Sequence, residues 1–145
     1  MSNSDPGPRV RDVMTAEPMV VHPEDDAEAL LTLFAGQDFN AMPVVDPEGH
    51  LVGMVTKLSL LRLLRGIKAE GTPNTPVPAR LRARDVMDTR KVWVEPGDGL
   101  DVVVRHMTRH HVRSVPVIQR SGSHRRLVGM VSRGDLLRGL PKAPQ

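Results

Sequence analysis

Two kinds of hydrophobic spacing alternate along the chain. From about Asp25 to Ala35, and again from about Gly99 to His110, apolar residues recur every three or four positions, which predicts two amphipathic helices. Short apolar runs bounded by Gly, Pro or charged residues predict strands. These runs are MVV (19–21), MPVV (42–45), LVGMV (51–55), VWV (92–94), VPVI (115–118) and LVGMV (127–131).

The runs repeat in the same order, which indicates a duplicated unit. LVGMV occurs twice, and RDVM at 11–14 returns at 84–87, an offset of 73 residues. The offset becomes 76 at the second LVGMV, because the loop before it is three residues longer. Self-similarity at a fixed spacing identifies a tandem repeat.

Each copy predicts the order strand, helix, strand, strand, helix, preceded by a short helical turn at DVM. The predicted fold class is therefore α/β (α+β), with a β-α-β-β-α repeat at 9–66, a second at 83–140 and a Pro-rich linker at 67–82. Gly66 and Gly139 stand where the last helices are expected to end. A unit of about 57 residues is marginal alone, so the two are expected to pack around a pseudo-twofold axis.

Composition excludes several classes of protein. There is no Cys, which rules out disulfides, thiolate metal sites and cysteine nucleophiles. The N-terminal MSNSDPGPRV lacks a signal-peptide pattern, and no apolar stretch approaches the roughly 18 residues of a membrane span. Catalytic motifs such as G-x-S-x-G or a P-loop do not occur. We therefore expect a cytoplasmic protein that is not an enzyme.

The charges of the two copies differ in sign. Residues 10–66 carry 4 basic and 9 acidic side chains, whereas residues 83–139 carry 11 basic and 6 acidic ones. Mutual attraction of the halves, or one half that attracts anions, explains this distribution more readily than a face for duplex DNA.

The DVM opening, the hydrophobic–Pro–Val–Val strand, and LVGMV followed by [ST]-x-x-[DS] and a helix resemble the CBS domain family. The resemblance covers residues 9–140, occurs twice, and is similar to small bacterial proteins made of one CBS pair. It implies a non-catalytic regulatory sensor that requires no cofactor. The implied regulatory ligands are AMP, ATP, S-adenosylmethionine or NAD, and the implied partners are a second copy in a homodimer and a regulated enzyme or transporter.

The segment Ser132–Asp135 supports two interpretations. In one, Ser132 and Asp135 form a capping box that starts the last helix. In the other, which the resemblance favours, the hydroxyl and carboxylate hydrogen-bond the ribose of a nucleotide. The first copy has Thr56 and Ser59 at these positions, so it can cap its helix but lacks the carboxylate.

The resemblance implies two non-equivalent ligand clefts, each built from both copies. The residues implied for the first cleft are Met14, Pro18, Met19, Asn40, Met130, Ser132, Arg133 and Asp135. Those implied for the second are Met54, Thr56, Ser59, Lys91, Val92 and Arg113. The ribose carboxylate and Arg113, which suits a phosphate, fall in different clefts, so adenosine, AMP or S-adenosylmethionine is preferred over ATP in the first. The methionines also fit a purely structural role in the core.

A second polar cluster contains His106, Arg109, His110, His111 and Arg113. His106 and His110 are four residues apart on one helix and could share a metal, but no Glu or Cys completes the set, so no metal site is predicted. A solvated basic face is the favoured interpretation. Nucleic-acid binding is the least favoured, because no aromatic residues are interleaved.

The main alternative to a sensor is a dimerisation or protein-docking module whose clefts hold no ligand. The sequence does not choose among the adenosyl ligands or between a parallel and an antiparallel dimer.

Overall fold

The structure is a computed structural model, and it describes residues 7–36, 41–64 and 81–139. The helices in these ranges are α1 (Val10–Val13), α2 (Ala27–Ala35), α3 (Lys57–Leu64), α4 (Ala83–Val86), α5 (Leu100–His110) and α6 (Arg133–Gly139). The strands are β1 (Thr15–Ala16), β2 (Ala41–Val45), β3 (Leu51–Thr56), β4 (Ser114–Ser121) and β5 (His124–Ser132). No helix of the described ranges has both the length and the apolar character needed to cross a bilayer.

The chain divides into two compact units. Met1–Pro18 and Lys91–Gln145 form one, called here the terminal unit, and Met19–Arg90 form the other, called the middle unit. The chain therefore passes between units at Pro18 and again at Arg90, inside each sequence repeat. The repeat boundaries 9–66 and 83–140 remain a prediction from the sequence.

The terminal unit is built on a three-stranded antiparallel sheet in the order β1-β5-β4. Thr15 pairs with Met130, and β4 pairs with β5 from Ser114 and Ser132 to the tip of the hairpin. Helices α1, α5 and α6 bury apolar side chains against it. The buried residues of this core are Val10, Val92, Val94, Leu100, Val103, Val115, Val117, Val131 and Leu136.

The middle unit is built on the antiparallel pair β2-β3. Helix α2 begins at the cap Asp26, whose carboxylate accepts a hydrogen bond from the Glu28 amide, and it buries Leu30 and Phe34. The buried residues of this core are Val21, Ala27, Leu30, Phe34, Met42, Val44, Val55, Leu60, Ala83 and Val86. Each unit thus has its own hydrophobic core.

The short opening helix of each repeat packs on the body of the other repeat. In the terminal unit, the Val10 amide donates to the Asp98 carbonyl over 2.9 Å, and the Arg9 guanidinium donates to the Gly97 carbonyl over 2.8 Å. In the middle unit, the Ala83 amide donates to Asp25 over 2.8 Å, and the guanidinium of Arg82 donates to Glu24 over 2.7 Å. The two sets of contacts involve residues that correspond to one another at the repeat offset of 73 residues. Each opening helix is therefore exchanged, meaning that it packs on the other repeat, in the same way.

The predicted strands at 19–21 and 92–94 are reduced to single parallel bridges, Val21 with Val44 and Val94 with Val117. Proline explains this outcome. The next hydrogen bonds of each ladder would require an amide proton at Pro43 and Pro23 in one unit, and at Pro116 and Pro96 in the other. Proline has no such proton, so neither pairing can extend.

The other predicted elements are present, with helices beginning one or two residues later than expected. The helix expected from Asp25 begins at Ala27, and the one expected from Gly99 begins at Leu100. The linker and Gly66 lie outside the described residues. Strand β1, which the sequence did not predict, extends the sheet of the terminal unit by pairing with β5.

The glycine in each LVGMV strand lets an opening segment approach closely. A Cβ on Gly53 would stand 2.7 Å from the Met87 sulfur and 3.1 Å from the Asp88 carbonyl. A Cβ on Gly129 would stand 2.7 Å from the Met14 sulfur and 3.0 Å from the Thr15 carbonyl. The sulfur can move aside, but the backbone carbonyl belongs to a paired segment and cannot.

We therefore expect Gly53→Ala and Gly129→Ala each to lower the free energy of unfolding by about 1–3 kcal/mol, measured by urea denaturation. Gly36→Ala is the matched control. Gly36 ends α2 with φ −93°, and its added Cβ would meet nothing closer than 3.9 Å. It should be neutral or slightly stabilising. Equal losses at all three glycines would contradict the role of close approach.

Candidate functional site

The polar pair at the start of α6 forms a capping box. The Asp135 carboxylate accepts from the Ser132 amide over 2.9 Å, and the Asp135 amide donates to the Ser132 hydroxyl over 3.2 Å. Asp135 is only 6% exposed, the one buried charged residue among those described. The structural interpretation of this motif is therefore confirmed. It leaves open the second interpretation, because a carboxylate has more acceptor positions than the cap uses.

An open cavity of about 280 Å³ lies beside Asp135, within the terminal unit. It is formed where α1 and the start of β1 meet α6. Its lining residues are Asp12, Val13, Met14, Thr15, Asp135, Arg138 and Gly139. A sheltered carboxylate in the wall of such a cavity can accept hydrogen bonds from a ligand's hydroxyl groups.

The Arg138 guanidinium contacts the other oxygen of the Asp135 carboxylate. The side chain of Arg138 is 73% exposed, whereas that of Asp135 is 8% exposed. The arginine bends back along α6 toward Gly134, since a Cβ there would stand 3.3 Å from one of its terminal nitrogens. The buried carboxylate is thus partly neutralised from the solvent side.

Part of the residue set predicted for the first cleft comes together in the terminal unit. Asp135 and Met14 line the cavity, Ser132 is hydrogen-bonded to Asp135, and the paired β1 and β5 place Met130 opposite Thr15. Met130 is 8% exposed, so it also serves the core. The remaining residues are located differently: Pro18 belongs to this unit, Arg133 is exposed, Met19 belongs to the middle unit, and Asn40 lies outside the described residues.

The set predicted for the second cleft is divided between the units. Met54 and Thr56 lie on β3 of the middle unit, where Met54 exchanges backbone hydrogen bonds of 2.9 and 2.7 Å with Asp88. The side chain of Ser59 lies outside the part of the chain that the structure describes. The other members, Lys91, Val92 and Arg113, belong to the terminal unit, where Val92 is part of the core. The second cleft therefore remains a prediction from the sequence.

The sequence prediction did not include Asp12, Thr15 or Arg138, all of which line the cavity. Asp12 accepts a 2.7 Å hydrogen bond from the Arg9 amide and so holds the first turn of α1. Arg138 could have been found from its spacing, because residues three apart on a helix are neighbours. Asp12 and Thr15 could not, since their position depends on the exchange of opening segments.

The basic cluster on α5 contains a stacked histidine pair. The rings of His106 and His110 are 5.9 Å apart between centroids, with 21° between their planes. Burial lowers the pKa of His106, and the like charges of His110, Arg109 and Arg105 lower it further, while Asp98 opposes them. The neutral ring is therefore favoured, which fits a partly buried face of the helix.

The turn between β2 and β3 brings together three possible metal ligands. One donor atom from each of Asp46, Glu48 and His50 can lie within 4.8 Å of the others. The Asp46 carboxylate already accepts from the amides of Glu48 (3.0 Å) and His50 (2.9 Å), and these bonds lower its pKa. The hydrogen bonds of the turn therefore explain why an Asp stands at position 46.

Comparison with protein family models identifies the family of the chain. A family model for the CBS domain matches residues 10–66 and 83–142, which is more than half of the 145 residues. The chain therefore belongs to the CBS domain family, and it contains a tandem CBS pair.

Individual relatives agree with this assignment. Hypoxic response protein 1 of Mycobacterium tuberculosis is 31% identical over 132 residues, covering 91% of this chain and 85% of the relative. The crystal structure of CBSX2 in complex with AMP is 25% identical, with a TM-score of 0.73, covering 91% of this chain and 95% of that one. The CBS pair of MJ0100, solved with 5′-methylthioadenosine and S-adenosyl-L-methionine, has a TM-score of 0.74 at 22% identity over 92% of this chain and 95% of that one. This last likeness concerns the fold.

Removing the Asp135 side chain should destabilise the protein. Asp135→Ala leaves the Ser132 amide without its acceptor, so we expect a loss of about 1–2 kcal/mol in the free energy of unfolding. Asp101→Ala is the matched control, because Asp101 forms an i,i+4 pair with Arg105 at 75% exposure. That change should cost about 0.5 kcal/mol or less. Equal losses in urea denaturation would show that the capping box adds nothing.

The lowered pKa of His106 predicts a pH dependence of stability. Above pH about 6.5 the ring is neutral in both states, but below it the unfolded chain takes up the proton first. Stability should therefore fall as the pH decreases below about 6.5, until the folded ring is protonated too. His106→Gln should remove this part of the slope in urea denaturation at several pH values, whereas the exposed His22→Gln should keep it. An unchanged slope in His106→Gln would contradict the assignment.

Proposed function

We propose that this CBS pair is a regulatory module that binds an adenosine-containing ligand in the cavity beside Asp135. The observation that carries the proposal is a buried carboxylate fixed in the wall of an open cavity. The structures of CBSX2 with AMP, and of the MJ0100 pair with two adenosyl compounds, support this ligand class. In this role the protein senses the ligand and transmits the occupancy of the site to a partner, and it catalyses no reaction.

The carboxylate of Asp135 has the capacity for this contact. Its two oxygens offer about four acceptor positions. The Ser132 amide uses one oxygen and the Arg138 guanidinium the other, so each oxygen retains a lone pair. Two adjacent ribose hydroxyls can donate to such a carboxylate, and charged hydrogen bonds are the stronger kind.

The size and charge of the cavity favour a small adenosyl ligand. Its volume of about 280 Å³ lies at the lower end of the range for small-molecule sites. Its lining has two carboxylates, Asp12 and Asp135, against one guanidinium, Arg138. This balance disfavours several phosphate charges, so adenosine, AMP or S-adenosylmethionine fits better than ATP or NAD.

A dimerisation or docking module remains the second candidate, and exposed leucines favour it. Leu61 on α3 and Leu137 on α6 occupy equivalent positions in the two repeats, and they are 40% and 73% exposed. Leu58 is 55% exposed on the same helix as Leu61. Apolar side chains on the last helices suit a homodimer or contact with a regulated enzyme or transporter. Both roles can coexist in one protein.

The test is a calorimetric titration of the purified protein with adenosine, AMP, S-adenosylmethionine, ATP and NAD. Asp135→Ala removes charged hydrogen bonds worth about 1.5–3 kcal/mol, so binding of the preferred ligand should weaken roughly 10- to 150-fold. Asp135→Asn should weaken binding as well but retain the acceptor for the helix cap.

Ser59→Ala is the matched change in the other repeat and should have little effect on the same ligand. Similar losses from Ser59→Ala and Asp135→Ala would contradict the asymmetry of the two sites. If none of the five compounds binds at millimolar concentration, the sensor is rejected. A stable dimer that binds none of them would leave the docking module as the better account.

A further inference from the structure

The Asp135–Arg138 ion pair joins a sheltered charge to an exposed one. The carboxylate is held by the Ser132 amide and cannot turn away without breaking the helix cap. Among the described residues, the guanidinium contacts this carboxylate, and one of its terminal nitrogens lies close to Gly134. If the pair separates, the exposed guanidinium is solvated by water, whereas the sheltered carboxylate keeps its hydrogen bond from the Ser132 amide. Arg138 is therefore the member that can change partner.

Gly134 and Asp135 together permit this arrangement. The absence of a side chain at Gly134 leaves room for the guanidinium to lie across the first turn of α6. The first repeat has Leu58 and Ser59 at the equivalent positions, so it offers neither the space nor the carboxylate. The glycine and the carboxylate of this arrangement thus occur only in the second repeat, whose helix α6 forms one side of the cavity.

Among the residues that the structure describes, Arg138 is the only cationic side chain that lines the cavity. A ligand's hydroxyls can donate to the remaining lone pairs of Asp135, but each added donor draws negative charge from the ion pair and so weakens the hold of the carboxylate on Arg138. A displaced arginine beside the cavity needs a new anion or must be solvated, and its planar fork of donors matches a phosphate oxygen pair. A phosphate on the ligand would supply that anion.

We propose that Arg138 is an exchangeable counter-ion, which covers Asp135 in the empty site and transfers to the phosphate of a bound nucleotide. Arg138 thereby determines the preference for AMP over adenosine. The inference rests on the proposed function, because it concerns the same cavity and ligand class. It assigns the phosphate contact to Arg138, which the sequence prediction for the first cleft did not include, and not to Arg133, which that prediction did include.

The experiment measures dissociation constants of AMP and adenosine for the full chain and for Arg138→Met by calorimetry. Loss of the phosphate contact should weaken AMP binding roughly 5- to 20-fold. Loss of the internal competitor should strengthen adenosine binding roughly 2- to 5-fold. The proposal predicts opposite changes in the affinities for the two ligands. Damage to α6 would instead weaken the binding of both.

Arg105→Met is the matched control, since Arg105 forms a similar exposed ion pair with Asp101 on α5, away from the cavity. It should leave both constants unchanged. The inference is overturned if Arg138→Met shifts both ligands in the same direction or leaves the AMP to adenosine ratio unchanged. It is also overturned if Arg133→Met produces the opposite changes instead. In these cases the proposed function stands. Failure of the unaltered protein to bind AMP or adenosine overturns this inference, and it rejects the proposed function as well only if S-adenosylmethionine, ATP and NAD also fail to bind.

Discussion

The close approach of an opening segment to a glycine in the last strand is the contact on which the rest of the structure depends. At Gly129 the neighbours are the Met14 sulfur and the Thr15 carbonyl, and at Gly53 they are the equivalent Met87 and Asp88. Without this approach β1 could not pair with β5, and α1 would not lie beside α6. The cavity at Asp135 exists because these two helices meet there. A backbone constraint in the strand therefore determines where the cavity lies.

The similarity of the two repeats and the difference between them after LVGMV have separate physical causes. In the second repeat the Ser132 hydroxyl accepts a hydrogen bond where the last strand becomes a helix, and the first repeat has the hydroxyl residue Thr56 at the equivalent position. Only the second repeat adds a carboxylate three residues later, with a glycine between them. These two substitutions change the surface chemistry without changing the fold. The shared residues keep the fold of the two repeats alike, and the carboxylate of Asp135 distinguishes the second repeat.

Most of the fold could be predicted from the sequence, because hydrophobic spacing is a local property. The helices, the two LVGMV strands and the strands before them follow directly from it. The single bridges at Val21 and Val94 could not be predicted from spacing alone, since their length is limited by prolines on both partners. The exchange of opening segments is a long-range contact without a local signal. For that reason the sequence led to Ser132 and Asp135 but missed Asp12 and Thr15.

In the proposed site, Asp135 both caps α6 and contacts the ligand, and this double use limits how tightly a ligand can be held. The carboxylate stabilises the start of α6 whether or not a ligand is present, so binding adds contacts to a group that is already satisfied. Arg138 acts as an internal competitor, and the apparent affinity falls by the fraction of molecules in which it covers the carboxylate. A phosphate compensates for this loss by accepting the released guanidinium, but a bare ribose does not. In the proposed exchange, the same ion pair that neutralises a buried charge in the empty protein would provide the discrimination between ligands.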